Sequence, residues 1–213
     1  MTVVERPIQL SWCLHHLRSV YKDVAITTIS DGSRYHEYKE ICSRYSARYV
    51  EGERLKISSM GGKWWARTLM YGLDSDSDFI LKIDPDTKFQ RSIQVFPNFD
   101  ISGTLSFKGR PIEHVQGGVQ MFARPAVETL INSRFFSQTK LVNPKSYAWD
   151  RNLLSFALRN NYLCTDAMLK LAKSELGLTW GDWQEVCSHW KKLPSNHEKY
   201  AITHPHKWQN FPK

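Results

Sequence analysis

Phe79-Ile80-Leu81-Lys82-Ile83-Asp84-Pro85-Asp86-Thr87-Lys88-Phe89 is the stretch on which the reading of this chain turns. A five-residue, mostly apolar run ends abruptly in two carboxylates separated by a proline. The run predicts a buried strand from Phe79 to Ile83, with Asp84 and Asp86 at the sheet edge. Strand side chains alternate with period two, so both carboxylates are expected to point the same way. Pro85 fixes the backbone between them and ends the ladder. Two carboxylates aimed together repel unless a cation or a shared proton lies between them. A hard divalent cation that also holds phosphates is the simplest such partner. The competing reading is a plain surface turn, in which Asp and Pro are ordinary residues.

Upstream, strands and helices alternate. Thr2-Val3-Val4 is a short apolar run, and a helical pattern follows from about Leu10 to Tyr21. Val24-Ala25-Ile26-Thr27-Thr28-Ile29 is β-branched and strand-like, closing on the turn signal Ser30-Asp31-Gly32-Ser33. Tyr35, Tyr38, Ile41, Cys42 and Tyr45 fall at helical spacing, and Ala47 to Val50 predicts a short strand. Met60-Gly61-Gly62-Lys63 reads as a loop feeding a helix that runs through Trp64, Arg67 and Leu73. This order predicts a parallel, helix-flanked sheet. Ligands of such sheets bind beyond the C-terminal ends of the strands. Val4-Glu5-Arg6, Asp31-Gly32-Ser33 and Asp84-Pro85-Asp86 all lie at such ends, and three polar clusters at one rim favour a site over a turn.

Downstream, Ile101 to Phe107 and His114 to Phe122 read as strands. The second contains Gly117-Gly118, which costs strand stability and marks a close backbone approach to a ligand or a neighbour. Pro125 suits the first turn of a helix over Ala126 to Ile131. Ser137 to Tyr147 has no clear period and reads as a mobile loop, after which Trp149-Asp150 opens a helix. Thr179-Trp180-Gly181-Asp182 has capping-box spacing, predicting a helix whose apolar stripe is Trp183, Val186, Cys187 and Trp190. The tail Ala201-Ile202-Thr203-His204-Pro205-His206-Lys207 places two His and a Lys close together.

With 213 residues, 41% of them hydrophobic and 23% charged, the chain fits one globular domain with a sizeable core. The net charge of +8 favours an anionic partner: a nucleic acid, an anionic membrane surface or a phosphorylated small molecule. Lys and Arg are spread along the chain, so a basic tail is excluded. Cys13, Cys42, Cys164 and Cys187 show no zinc-ligand spacing and read as reduced thiols of a cytoplasmic protein. No apolar run approaches a membrane span, and no signal-peptide pattern is present. The eight Trp are expected mainly in the core.

In this order the motifs resemble the GT-A fold glycosyltransferases, which transfer a sugar from a nucleotide diphosphate. The family's DDGS-like turn corresponds to Ser30-Asp31-Gly32-Ser33, its GxxxAR-like helix to Gly62-Lys63-Trp64-Trp65-Ala66-Arg67, and its DxD motif to Asp84-Pro85-Asp86. Gly117-Gly118, Trp149-Asp150 and His204-Pro205-His206-Lys207 hold the places of its glycine strand, later acidic helix start and late His and Lys. Ser30 stands where the first Asp of the turn usually sits. The small size also resembles glycosyltransferase domains encoded by large algal viruses, and the pattern is compatible with a minimal domain of a longer protein.

The resemblance implies an α/β fold, a Rossmann-like mixed and mostly parallel central sheet flanked by helices. Residues 1–213 would form a single domain, with nucleotide binding in about 1–90 and the acceptor side in about 91–213. It implies a metal held by Asp86 and one of His204 and His206, with Asp84 shared between metal and ribose. Thr2, Val4, Arg6, Asp31, Gly62, Lys63, Arg67 and Lys207 are the further nucleotide-sugar candidates. Gly117, Gly118 and Trp149 stand on the acceptor side, and Asp150 is the candidate general base or cation stabiliser. An imidazole in the shell shifts preference from Mg²⁺ toward Mn²⁺. The expected donor is a UDP-sugar and the acceptor a glycan, glycoprotein or lipid-linked hydroxyl, with either stereochemistry open. Two other classes compete. A haloacid-dehalogenase-type phosphatase carries Asp-x-Asp-x-Thr on its first strand, whereas Thr87 directly follows Asp86 on about the fourth. A basic nucleic-acid-binding module would use the net charge, but no recognised motif supports it.

Overall fold

The computed structural model describes residues 2–3, 7–30, 32, 36–53, 57–106, 114–138, 165–189 and 193–205. In chain order the elements are β1 (Thr2–Val3), α1 (Pro7–Val20), β2 (Thr27–Ser30), α2 (Glu37–Arg44), β3 (Arg48–Val50) and α3 (Ile57–Met70). There follow β4 (Phe79–Ile83), β5 (Lys88–Phe89), β6 (Ile101–Ser106), β7 (His114–Ala123), α4 (Arg124–Asn132) and α5 (Phe135–Gln138). The last are α6 (Thr165–Leu176), β8 (Trp180–Asp182), β9 (Val186–His189), a 3₁₀ turn (His197–Lys199) and β10 (Ile202–Pro205).

Among the described residues the strands form three sheets, ordered β1-β2-β3, β5-β10-β9 and β4-β7-β6-β8. The first is parallel throughout, and β9/β10 and β6/β8 are parallel too. β4/β7, β6/β7 and β5/β10 are antiparallel. This is the mixed α/β class the sequence predicts. The described pairing of β4, however, is to antiparallel β7 rather than within a parallel run.

α1 begins with Pro7, whose missing N–H costs nothing in a first turn. Leu10, Cys13, Leu14 and Leu17 recur at helical spacing and are all buried. They pack on Tyr38, Ile41 and Cys42 of α2 and on Phe89 and Ile202. Arg18 fixes this pair of helices: its guanidinium donates to the carbonyls of Tyr45 and Ser46 after α2 and of Lys22 and Val24 after α1.

The alternation of β4 divides the core in two. Ile80 faces the cluster formed with α3, α4, α5 and α6, including Trp65, Phe122 and Leu130. Ile83 faces the cluster with α1 and α2. Lys82 shares the Ile80 face by period two and is 5% exposed.

The helix expected after Thr179 is a correction. Trp180–Asp182 instead adds to β6 in parallel register, with Ile101 opposite Trp180 and Gly103 opposite Asp182. A turn closed by Val186 N–H donating to the Trp183 carbonyl (3.0 Å) leads into β9. Asp182 caps no helix; its carboxylate accepts from the Leu105 N–H at 2.9 Å. Strand pairing with β6 and β10 overrides a local helical spacing, as tertiary context commonly does. Trp183, Val186 and Cys187 are buried as core residues, from a strand-turn-strand.

Cys13, Cys42 and Cys187 are free and buried. Burial pushes all three thiols up, Cys187 to about 11. Iodoacetamide at pH 8 is therefore expected to leave them unmodified in the native protein and to label them in denaturant, checked by intact mass. Each thiol's folded pKa lies above its unfolded value. Their contribution to stability is therefore complete below about pH 8.5 and is lost as pH rises toward the folded values.

Candidate metal centre

The site grows from the end of β4. The Asp84 N–H donates to the Gly118 carbonyl at 2.9 Å, the last rung between β4 and β7. The Thr87 N–H then donates back to the Asp84 carbonyl at 3.1 Å, closing a β-turn with Pro85 in its second position. Asp84 and Asp86 thus project from a turn and not from a straight strand. The turn reading describes the backbone correctly, and the turn is what carries the carboxylates.

β5 follows at once and pairs antiparallel with β10, Phe89 opposite Ile202 and Lys88 opposite Thr203. That register sets the next residue of β10, His204, beside the turn. His204 is 2% exposed. Its Nε2 lies 2.9 Å from Asp86 Oδ1 and 3.7 Å from Asp84 Oδ2. Asp84, Asp86 and His204 each offer a ligand atom, all within 4.8 Å of one another.

β9 lies on the other side of β10 and places Ser188 opposite His204. Ser188 Oγ is 3.0 Å from His204 Nδ1. A hydroxyl can donate or accept, so it serves either tautomer. With the proton on Nε2, His204 donates to Asp86; with the proton on Nδ1, it donates to Ser188 and leaves Nε2 free to ligate. Ser188 is itself held by its N–H, which donates to Thr104 Oγ1 at 2.8 Å.

Gly118 makes room for the imidazole. A Cβ there would overlap Cε1, Nδ1 and Cγ of His204. The predicted close approach is therefore to a neighbouring ring of the same chain. Gly117 is exposed, with nothing near where its Cβ would be. Its carbonyl accepts from Lys82 Nζ at 2.5 Å, and the same ammonium donates to Asp84 Oδ1 at 2.6 Å. Cys13 Sγ lies 4.0 Å from the Asp84 carbonyl oxygen, so α1 backs the turn.

Two carboxylates and an imidazole form a donor set for a divalent cation, and one nitrogen among oxygens suits Mn²⁺ better than Mg²⁺. The cradle at Gly118 and the two-way partner at Ser188 also fit a ligating His204. The residues present therefore fit the group.

The other predicted residues are distributed as follows. Thr2 lies in β1, opposite Ile29 of β2. Gly62, Lys63 and Arg67 lie on α3. Lys63 forms an exposed ion pair with Glu53, and that hydrogen bond holds the Glu53 carboxyl below its ordinary range. Arg67 donates to the Glu53 carbonyl at 3.0 Å. Val4, Arg6, Asp31, Trp149, Asp150, His206 and Lys207 lie outside the described residues. Sequence reasoning missed Lys82 and Ser188. The only sign of Lys82 was a charge interrupting an apolar run, and Ser188 was hidden in the misread helix.

No family model matches this sequence, and no curated protein matches it. Among solved structures, the fold matches the glycosyltransferase GlyE of Streptococcus pneumoniae TIGR4, with a TM-score of 0.58 and 10% sequence identity. The match covers 99% of this chain and 56% of GlyE, so the chain spans little more than half the length of that neighbour. The chain has an α/β fold like that of this glycosyltransferase. At this identity the glycosyltransferase fold is what the likeness establishes, and function has to be argued from the site. Among the described residues no helix is long and apolar enough to cross a membrane.

Proposed function

We propose that this chain is a divalent-metal-dependent glycosyltransferase that moves a hexose from a UDP-sugar to a hydroxyl of a glycan, glycoprotein or lipid-linked acceptor. The observation that carries the reading is the convergence of Asp84, Asp86 and His204 on a glycosyltransferase fold.

Breaking the bond from the anomeric carbon to the diphosphate gives the sugar oxocarbenium character and builds charge on the leaving group. Asp86 and His204 would hold Mn²⁺, with Asp84 shared between the ion and the ribose. Bound there, the ion supplies Lewis-acid stabilisation of the departing diphosphate. Lys207 would add a point charge, and His206 is the alternative imidazole. Thr2, Val4, Arg6, Asp31, Gly62, Lys63 and Arg67 complete the proposed nucleotide side, within about residues 1–90. Gly117 and Trp149 would stand on the acceptor side, in about residues 91–213, whereas Gly118 seats the His204 ring. Asp150 takes the acceptor proton if the reaction inverts, or stabilises the cationic sugar if it retains. Product anomer by NMR separates the two, and an unchanged rate in Asp150→Asn removes it from the chemistry.

The decisive test is nucleotide binding with and without Mn²⁺. UDP at about a hundred times its Kd stabilises a folded state by about 2.7 kcal/mol. For a chain of this size that is a rise of about 5–10 °C in Tm. We expect this rise with UDP plus Mn²⁺, less with GDP or CMP, and little of it in excess chelator. UDP binding that is equally tight in chelator, measured by calorimetry, would overturn the metal assignment.

A further inference from the structure

Lys82 is a buried charged side chain on one apolar face of β4, and the chemistry proposed above does not use it. It is 5% exposed, on the face of β4 that carries Ile80. Burying an ammonium is costly unless its donors are met. They are met here by Asp84 Oδ1, the Gly117 carbonyl and the face of Trp64, 5.7 Å from Nζ to the ring centroid.

We propose that Lys82 is a built-in counter-cation that keeps the bare ion weakly bound, so that the metal is held firmly only together with a nucleoside diphosphate. This rests on the nucleotide-sugar reading above. Each carboxylate of the turn already has a partner within the protein: Lys82 for Asp84 and His204 for Asp86. The two partners differ in what an arriving dication can displace. His204 can carry its proton on Nδ1, whose N–H then donates a hydrogen bond to Ser188 Oγ, and so turn at Nε2 from donor into ligand. The ammonium has no lone pair to offer and remains a cation beside the site.

Two carboxylates and one ammonium leave a single net negative charge to meet a doubly charged ion. The remaining negative charge has to come from the ligand, and a diphosphate supplies it. Lys82 also occupies Asp84 Oδ1, leaving Oδ2 as the oxygen turned toward His204. Because coupling is reciprocal, UDP tightens Mn²⁺ by the same factor that Mn²⁺ tightens UDP.

The test is Mn²⁺ titration followed by the EPR signal of the free ion, with and without UDP. It uses wild type, Lys82→Met and Lys82→Gln. Glutamine keeps a donor for both oxygens without the charge, so it is the variant to read should the Met variant not fold. In the wild type we expect weak binding of Mn²⁺ alone, tightened about tenfold or more by UDP. In both variants we expect Mn²⁺ alone to bind about tenfold tighter, with most of the UDP enhancement gone, because a like charge has left the site. Equal or weaker Mn²⁺ binding in the variants, with the wild type behaving as stated, would make Lys82 a scaffold and overturn this inference alone. A wild type without any UDP-dependent Mn²⁺ binding would overturn the nucleotide-sugar reading and this inference with it.

Discussion

Asp86→Asn is expected to abolish Mn²⁺-dependent UDP binding and to lower sugar transfer by about 10²–10³-fold, the scale of losing one major electrostatic stabiliser. The substitution keeps the side chain's size and an oxygen that can still accept from His204 Nε2, which lies 2.9 Å from Asp86 Oδ1. Stability should therefore stay within about 1 kcal/mol of the wild type. That separation of function from fold is what distinguishes a ligand from a structural carboxylate. His204→Ala should impair binding as deeply, and the double variant should be little worse than either, since ligands of one ion act as a unit. His204→Ala also opens a void beside Gly118 and leaves Ser188 Oγ without this partner, so it should cost stability where Asp86→Asn does not. Unchanged UDP affinity of Asp86→Asn in Mn²⁺, by calorimetry, would take the turn out of the nucleotide site.

Much of this site was legible because its parts are local. An apolar run of five residues cannot continue through Asp-Pro-Asp, so the end of β4 is fixed by chemistry adjacent in sequence. Gly117-Gly118 was legible in the same way, since two missing side chains inside a strand call for something packed close. The neighbour itself was not legible. That it is His204 depends on the register of β10 against β5 and β9, and pairings between residues so far apart leave no mark on either segment.

The misread segment shows the converse. Trp183, Val186, Cys187 and Trp190 recur at helical spacing after a Thr179–Asp182 capping pattern, so every local signal agreed on a helix. Two short strands won because β6 and β10 each had an open edge to offer them. Ser188, which holds the imidazole from behind, was lost with that reading. Lys82 was missed for another reason. A lysine in an apolar run has no visible partner until Asp84, two residues on, and Gly117, from β7, are brought to it.

Gly118→Ala is expected to destabilise the protein by about 1–3 kcal/mol, the range for forcing atoms into a packed interior. This would lower Tm by about 2–12 °C in a chain of this size. Neither side of the overlap can yield cheaply. Gly118 is tied to the turn through its carbonyl, which accepts from the Asp84 N–H at 2.9 Å. The imidazole opposite is the ring of a buried residue, held at one nitrogen by Ser188 and at the other by Asp86. A methyl group therefore has to push the ring off the carboxylates, and Mn²⁺-dependent UDP binding should fall together with stability. Gly117→Ala is the internal control one residue away. Its Cβ would enter open space, and its backbone is not among the positive-φ glycines. An alanine there reduces the entropy of the unfolded chain and should leave stability unchanged or raised by up to about 1 kcal/mol. Thermal unfolding of the two variants side by side checks the pair. Equal stability would mean that the ring does not rest on Gly118, and the geometry of the metal centre would have to be redrawn.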